Sequence, residues 1–319
     1  MRAAPSIHPT AAATPLSPAL SIEGQRLLLA TDGSPASGAA THVADGLARD
    51  HHADVHVLHV ADMRPVPLPP PLGMAFSFET VPAAEHSRNE AHRALRERIE
   101  ETLAEPIAWT TRVSQGAPAR AIVREAHSIG AALIVLGLRR HGRLDRALHD
   151  ETALSVIRSA TCPVLGVATG TTGVPKRVLA ALDFSPASID AARLARSIMR
   201  PCGTMVLAYA PPTVRYDPRD GEREIRELGV QAAFRKYARE LAGDGKGIDH
   251  IVLHRDRDRS VAEMLLEYAD CAQVDMISVG SMGQGRLDRW LLGSVSTDLV
   301  RDGRHTILVV PPQAQVPRA

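Results

Sequence analysis

The sequence predicts an α/β fold built twice: two tandem open parallel sheets of five strands, each with helices on both faces. Three observations carry this. Short apolar runs alternate with amphipathic stretches from residue 26 onward, the pattern of parallel strands joined by right-handed crossover helices. A motif of strand, Asp, one variable residue and Ser-Pro-Ala-Ser stands at 26–37 and again at 177–188. Self-similarity at so long a period means duplicated domains, since solenoid repeats run only about 20–50 residues. The length of 319 residues also exceeds one ordinary core and suits two domains of roughly 150 residues each.

The first copy opens with "RLLLATD" (26–32), a short apolar run of the kind buried on both faces of a parallel sheet. "GSPASGAATHVADGLAR" after it has helical periodicity. Strand "DVHVLHV" (54–60) and a charged amphipathic helix over 84–104 follow, then strand "IAWTTRV", helix "APARAIVREAHSI" and strand "ALIVLGL". A helix over about 150–159 and strand "PVLGVA" close the copy. The second copy runs in the same order: "RVLAALD", "FSPASIDAARLARSIM", "TMVLAYA", a helix over about 220–241, "IDHIVLH", "SVAEMLLEYADCA", "VDMISVG", a helix from 293, and "TILVVP". The resulting organisation is a flexible Pro/Ala-rich tail over 1–24, a first domain over 25–168, a Gly/Thr linker over 169–175, a second domain over 176–312 and a short tail over 313–319.

Composition narrows the function. With 37 basic against 36 acidic residues and 3% aromatics, the chain offers neither a collecting field nor stacking rings for nucleic acid. Cys162, Cys202 and Cys271 are widely spaced and form no C-x-x-C pair, so no disulfide framework or zinc knuckle is expected and a reducing cytoplasm fits. No apolar run reaches the ~18 residues of a membrane span. Pro5, Pro9, Pro15 and Pro18 interrupt any secretory apolar segment in the tail. His51, His52, His56 and His59 crowd the stretch 51–60, but His56 and His59 point to opposite faces of its strand and do not converge on a metal. Residues 62–82, with Met74, Phe76 and Phe78 among prolines, form a long connection suited to docking a partner, to disorder or to packing over the neighbouring domain. No G-x-S-x-G, H-E-x-x-H or catalytic cysteine signature occurs.

The chemistry concentrates after the fourth strand of the second copy. There Gly280-x-x-Gly283, nine residues, and Gly293-Ser294 lead from a strand into a helix. Glycine lets the backbone take positive φ and approach a phosphate. A helix start at Gly293-Ser294 adds unpaired amides, and Ser294 and Ser296 bring hydroxyls. A Walker A loop would need Lys after its glycines, and a dinucleotide fingerprint would place G-x-G-x-x-G after the first strand, where this chain has "DFSPAS". Asp183, which ends that strand, either caps the helix or faces a ligand.

The loop spacing, Asp183 and the tandem pattern together resemble the universal stress protein family, in its nucleotide-binding branch, over residues 25–312. The resemblance implies an adenine nucleotide alpha hydrolase-like, Rossmann-like fold with ATP between the first and fourth strands, carried with Mg²⁺ or Mn²⁺. By carry-over, Asp183 bonds the ribose or adenine edge, and Gly280 and Gly283 line ribose and phosphates. Gly293, Ser294, Val295 and Ser296 hold the phosphates, and backbone at Ala210 meets adenine. The resemblance further implies a stress-response regulator, with a slow ATPase or a nucleotide-free interaction module as the alternatives. It also implies pairing of "PVLGVA" with "TILVVP" into an internal pseudo-dimer, and leaves a homodimer of whole chains open.

In the first copy the loop is altered. Gly137 remains, but Arg140 replaces the second glycine, and Asp150 and Glu151 replace Gly-Ser. Like unit charges 4 Å apart repel by about 4 kcal/mol at an effective dielectric of 20, so polyphosphate is expected to be excluded there. Asp150 is also a good N-cap, so a protein carboxylate can take the anion's place. The arginines of the repeated Arg-Leu-Asp-Arg, including Arg286 and Arg289, serve either phosphate or helix-face ion pairs, and Trp290, inside the glycine loop, is expected to pack under the helix and to report nucleotide by its fluorescence.

Overall fold

A computed structural model describes residues 20–61, 81–138, 150–211, 220–242, 247–253, 259–282 and 292–312. Gly283, Arg140, Arg286, Arg289, Trp290 and most of the proline-rich 62–82 connection lie outside these.

The first half runs β1 (Arg26–Thr31), α1 (Pro35–His51), β2 (Asp54–Ala61), α2 (Val81–Leu103), β3 (Thr110–Gln115), α3 (Pro118–Ile129), β4 (Leu133–Leu138), α4 (Asp150–Ser159) and β5 (Val164–Ala168). The second half repeats it as β6 (Arg177–Leu182), α5 (Pro186–Ile198), β7 (Thr204–Tyr209), α6 (Asp220–Ala242), β8 (Ile248–Val252), α7 (Val261–Cys271), β9 (Met276–Gly280), α8 (Ser294–Asp302) and β10 (Thr306–Val310). Leu27, Leu28 and Leu29 are fully buried, as a strand covered on both faces requires. Ser34 and Ser185 cap α1 and α5 by accepting the amides of Ser37 and Ser188, with Pro35 and Pro186 preset for the first helical turn. Ser260 and Glu263 form a reciprocal capping box on α7.

Strand order is β3-β2-β1-β4-β5-β10-β9-β6-β7-β8 in one ten-stranded sheet. Each half is parallel, and the order reverses between β1 and β4 in one half and between β6 and β9 in the other. The halves meet where β5 and β10 pair antiparallel, Leu165 against Leu308. Side chains from α1, α2, α5 and α6 build the core on one face of the sheet. Those from α3, α4, α7 and α8 build it on the other.

Two details differ from the sequence reading. Leu20 and Ile22 are 4% and 1% exposed and belong to the core, and the Gly24 amide donates to the His51 carbonyl. The packed chain therefore starts before residue 25, because two apolar residues in an otherwise Pro/Ser/Ala stretch suffice to cover the core beside α1. The third strand begins at Thr110 rather than 107. Ile107 is still buried and Trp109 still packs on the core, so the apolar signal there marks burial rather than ladder pairing. No helix among the described residues is long and apolar enough to cross a membrane.

Candidate functional site

Open α/β sheets leave a crevice at the carboxyl ends of the strands where strand order reverses. In the second half a cavity of about 270 Å³ lies there, near the lower end of small-ligand sites. Its floor is the ends of β6, β7 and β9, contributing Asp183, Ala208, Ala210, Val279 and Gly280. Gly293, Ser294, Val295 and Ser296 at the start of α8 form one wall, and Val261 and Leu265 of α7 form an apolar wall. Seven residues singled out from the sequence thus converge: Asp183, Ala210, Gly280, Gly293, Ser294, Val295 and Ser296.

The helix start supplies donors. Thr297 makes the first intrahelical bond, its amide 3.0 Å from the Gly293 carbonyl. Among the described residues nothing accepts from the amides of Ser294, Val295 and Ser296. Gly293 provides no side-chain cap and the first turn carries no acidic residue, so the positive end of the helix dipole faces the cavity uncompensated by its own helix.

Gly280 and Gly293 have a packing reason to be small. Neither Gly280 nor Gly293 has positive φ. A Cβ on Gly280 would stand 2.9 Å from the Ser188 amide nitrogen and 3.0 Å from the Ala187 carbonyl carbon, so the first turn of α5 presses on the end of β9. Gly137 is equally constrained, its Cβ falling 2.5 Å from the Ala36 carbonyl carbon of α1. This explains why Gly137 persists in a half whose loop is otherwise altered: it seats a helix on a strand. At Gly293 a Cβ would come within 3.3 Å of the Ser281 carbonyl oxygen.

Ser281 closes the base of the loop. Its amide donates to the Val310 carbonyl, and its carbonyl accepts the Gly293 amide at 2.7 Å. The Ser296 hydroxyl, 1% exposed, donates to the Gly293 carbonyl at 3.0 Å and leans toward the Ser281 carbonyl at 3.4 Å. A hydroxyl has one proton. That proton is committed inside the loop, so Ser296 presents an amide to the cavity rather than the hydroxyl donor the sequence suggests. In the first half the equivalent carbonyl, Leu138, accepts instead from Thr169 Oγ1 at 3.2 Å, and Ala153 stands where Ser296 would be.

Asp183 has a structural partner as well as a place at the cavity. Its Oδ1 accepts the Ser185 amide at 2.9 Å, one residue before α5 begins, while Ser185 itself is the N-cap. Asp32 accepts the Ser34 amide at the same 2.9 Å in the first half. The turn is therefore common to both halves, and in the second it stands opposite the open start of α8. Val261 and Leu265 were missed by sequence reasoning. Their spacing of four on an amphipathic helix signals a buried stripe but not what that stripe faces.

A doubly wound α/β repeat with a crevice at the switch point of the second half defines the class: a tandem of open-sheet domains. The chain belongs to the universal stress protein family, whose model matches residues 24–168 and 175–311. A universal stress protein of Mycolicibacterium smegmatis is 29% identical over 298 residues, covering 90% of this chain and 97% of that one. Another, from Methanocaldococcus jannaschii, is 32% identical over 143 residues, covering 45% of this chain and 81% of its own. Among solved structures, a universal stress protein from Archaeoglobus fulgidus shares the fold with a TM-score of 0.58 at 16% identity, over 90% of this chain and 98% of that one.

Proposed function

We infer that the second half binds one ATP, together with Mg²⁺ or Mn²⁺, and that the first half is a scaffold without a nucleotide. The observation that carries this reading is the row of three amides, Ser294 to Ser296, opening onto a cavity whose helix has no acidic first turn. Such a helix start suits a polyphosphate. The aligned positions of the first half are Asp150 and Glu151, at the start of α4, where like charge opposes phosphate. Asp183 would meet the ribose or adenine edge, Ala210 the base through its backbone, Gly280 and Gly283 the ribose and phosphates, and Gly293 to Ser296 the phosphates. The apolar wall of Val261 and Leu265 suits the face of a purine. With the halves joined as an internal pseudo-dimer through β5 and β10, occupancy of one site would bias the whole chain, as a nucleotide-dependent regulator of the stress response in the cytoplasm.

The test is stoichiometry. Mass spectrometry of nucleotide released from purified protein should find ATP, and calorimetric titration should saturate at one ATP per chain. Two per chain, or none, would overturn the reading. Phosphate release that ceases in Gly283→Leu would make the protein a slow ATPase instead.

A further inference from the structure

The residue between Asp183 and Ser185 is Phe184, and the bond from the Ser185 amide to Asp183 Oδ1 spans it. Phe184 has φ 61, a left-handed conformation that bulky L residues rarely take. The first half makes the same turn with Gly33 at φ 73, where no Cβ resists it. A position that tolerates glycine in one half therefore holds a strained phenylalanine in the other.

Aromatic packing retains it. The Phe184 ring lies 5.0 Å from Tyr209, 5.7 Å from Phe234 and 6.1 Å from Tyr237, the last in a stacked arrangement. The whole sequence has only four Phe, four Tyr and two Trp, and two Phe and two Tyr meet here. Phe234, fully buried, and Tyr237 belong to α6, and all four residues pack with the core on the α5 and α6 face. The cavity is walled instead by α7 and α8, and none of these four rings lines it. Arg193 of α5 also reaches Glu240 of α6 at 3.1 Å, so α6 is tied to the helix that the turn initiates.

The geometry points to Phe184 as a positioning residue: its ring, locked under α6, keeps the backbone turn that aims Asp183 at the cavity. Nucleotide affinity then depends on a helix whose described residues do not touch the site, and occupancy is felt by α6 in return. This rests on the nucleotide reading above.

ATP titrations of the full chain as wild type, Phe184→Gly, Phe184→Ala and Tyr237→Leu test it. Glycine loses the ring but accepts the turn freely, whereas alanine loses the ring and still resists it. The expected losses of affinity are about threefold for Phe184→Gly, about tenfold or more for Phe184→Ala and about threefold for Tyr237→Leu. A ring that merely fills the core would lower the melting temperature of both Phe184 variants and leave their ATP affinity at the wild-type value, which overturns the inference. Equal losses for Gly and Ala overturn it too, because the turn would then be irrelevant. Should neither Phe184 variant fold, Tyr237→Leu decides: unchanged affinity refutes, a threefold loss supports. Wild-type protein that binds no ATP sinks the nucleotide reading itself, a failure visible without any substitution.

Discussion

Gly137 and Gly280 show how one residue type serves packing in both halves, while Gly280 also lines a cavity. Because the first turns of α1 and α5 approach through backbone atoms, which cannot swing aside, Gly280→Ala should cost about 1–3 kcal/mol and Gly137→Ala at least as much. Urea unfolding midpoints measure this, and unchanged midpoints would remove the packing account. Ser296 poses a different question. Replacing it by Ala leaves the Gly293 carbonyl without its side-chain donor. A loss of about 1 kcal/mol is expected, with faster amide hydrogen exchange at Gly293 in the nucleotide-free protein. Exchange that does not change would mean the hydroxyl is not holding the loop base.

Helix starts and strand ends set the chemistry at the next scale. α8 begins at Ser294 behind the N-cap Gly293, its first amides without an acceptor among the described residues, and α4 begins at Asp150, although both follow equivalent strands. At the other end of α8 the chain enters β10 through His305, which is 8% exposed and lies 3.3 Å from Asp270 Oδ1 through Nε2. Its Nδ1 has no hydrogen-bond partner among the described residues. Burial lowers its pKa, and the attraction of Asp270 only partly opposes that. The folded pKa therefore lies below the unfolded value of about 6.5, so the unfolded chain takes up the proton first as pH falls. This contribution to stability is intact above about pH 6.5 and is lost as pH drops through the range below it. The urea midpoint should fall between about pH 7.5 and 5.5, and His305→Asn should shrink that fall. A variant with the same acid dependence as wild type would assign it to other groups.

At the scale of the whole molecule the antiparallel seam of β5 and β10 makes ten strands one sheet. Thr306 bridges it: its Oγ1 accepts the Ala168 amide at 3.2 Å and lies 3.1 Å from Thr171 Oγ1 in the linker. Thr306→Val would leave a buried amide unpaired at a cost of about 1–3 kcal/mol. In a Trp290→Phe background, Trp109 fluorescence reports only the first half. A lower unfolding midpoint there, from a substitution in the second half, is the expected sign that the halves unfold together. Two independent transitions, with Trp109 indifferent to Thr306→Val, would count against a shared sheet.

The duplication, the parallel strands and the loop from Gly280 to Ser296 were readable from the chain, because each is written in short-range order: apolar periodicity, caps, and a loop whose members are neighbours in sequence; that Asp183 faces this loop followed only from the family resemblance. Tertiary structure alone decided the rest. That α5 presses on Gly280, that Val261 and Leu265 wall the cavity and that Phe184 is held by α6 all depend on how elements far apart in sequence cross and seat on one another. Local sequence sets which element forms. Only packing sets which surfaces meet, because the free energy of a contact belongs to both partners and neither one's neighbours encode the other.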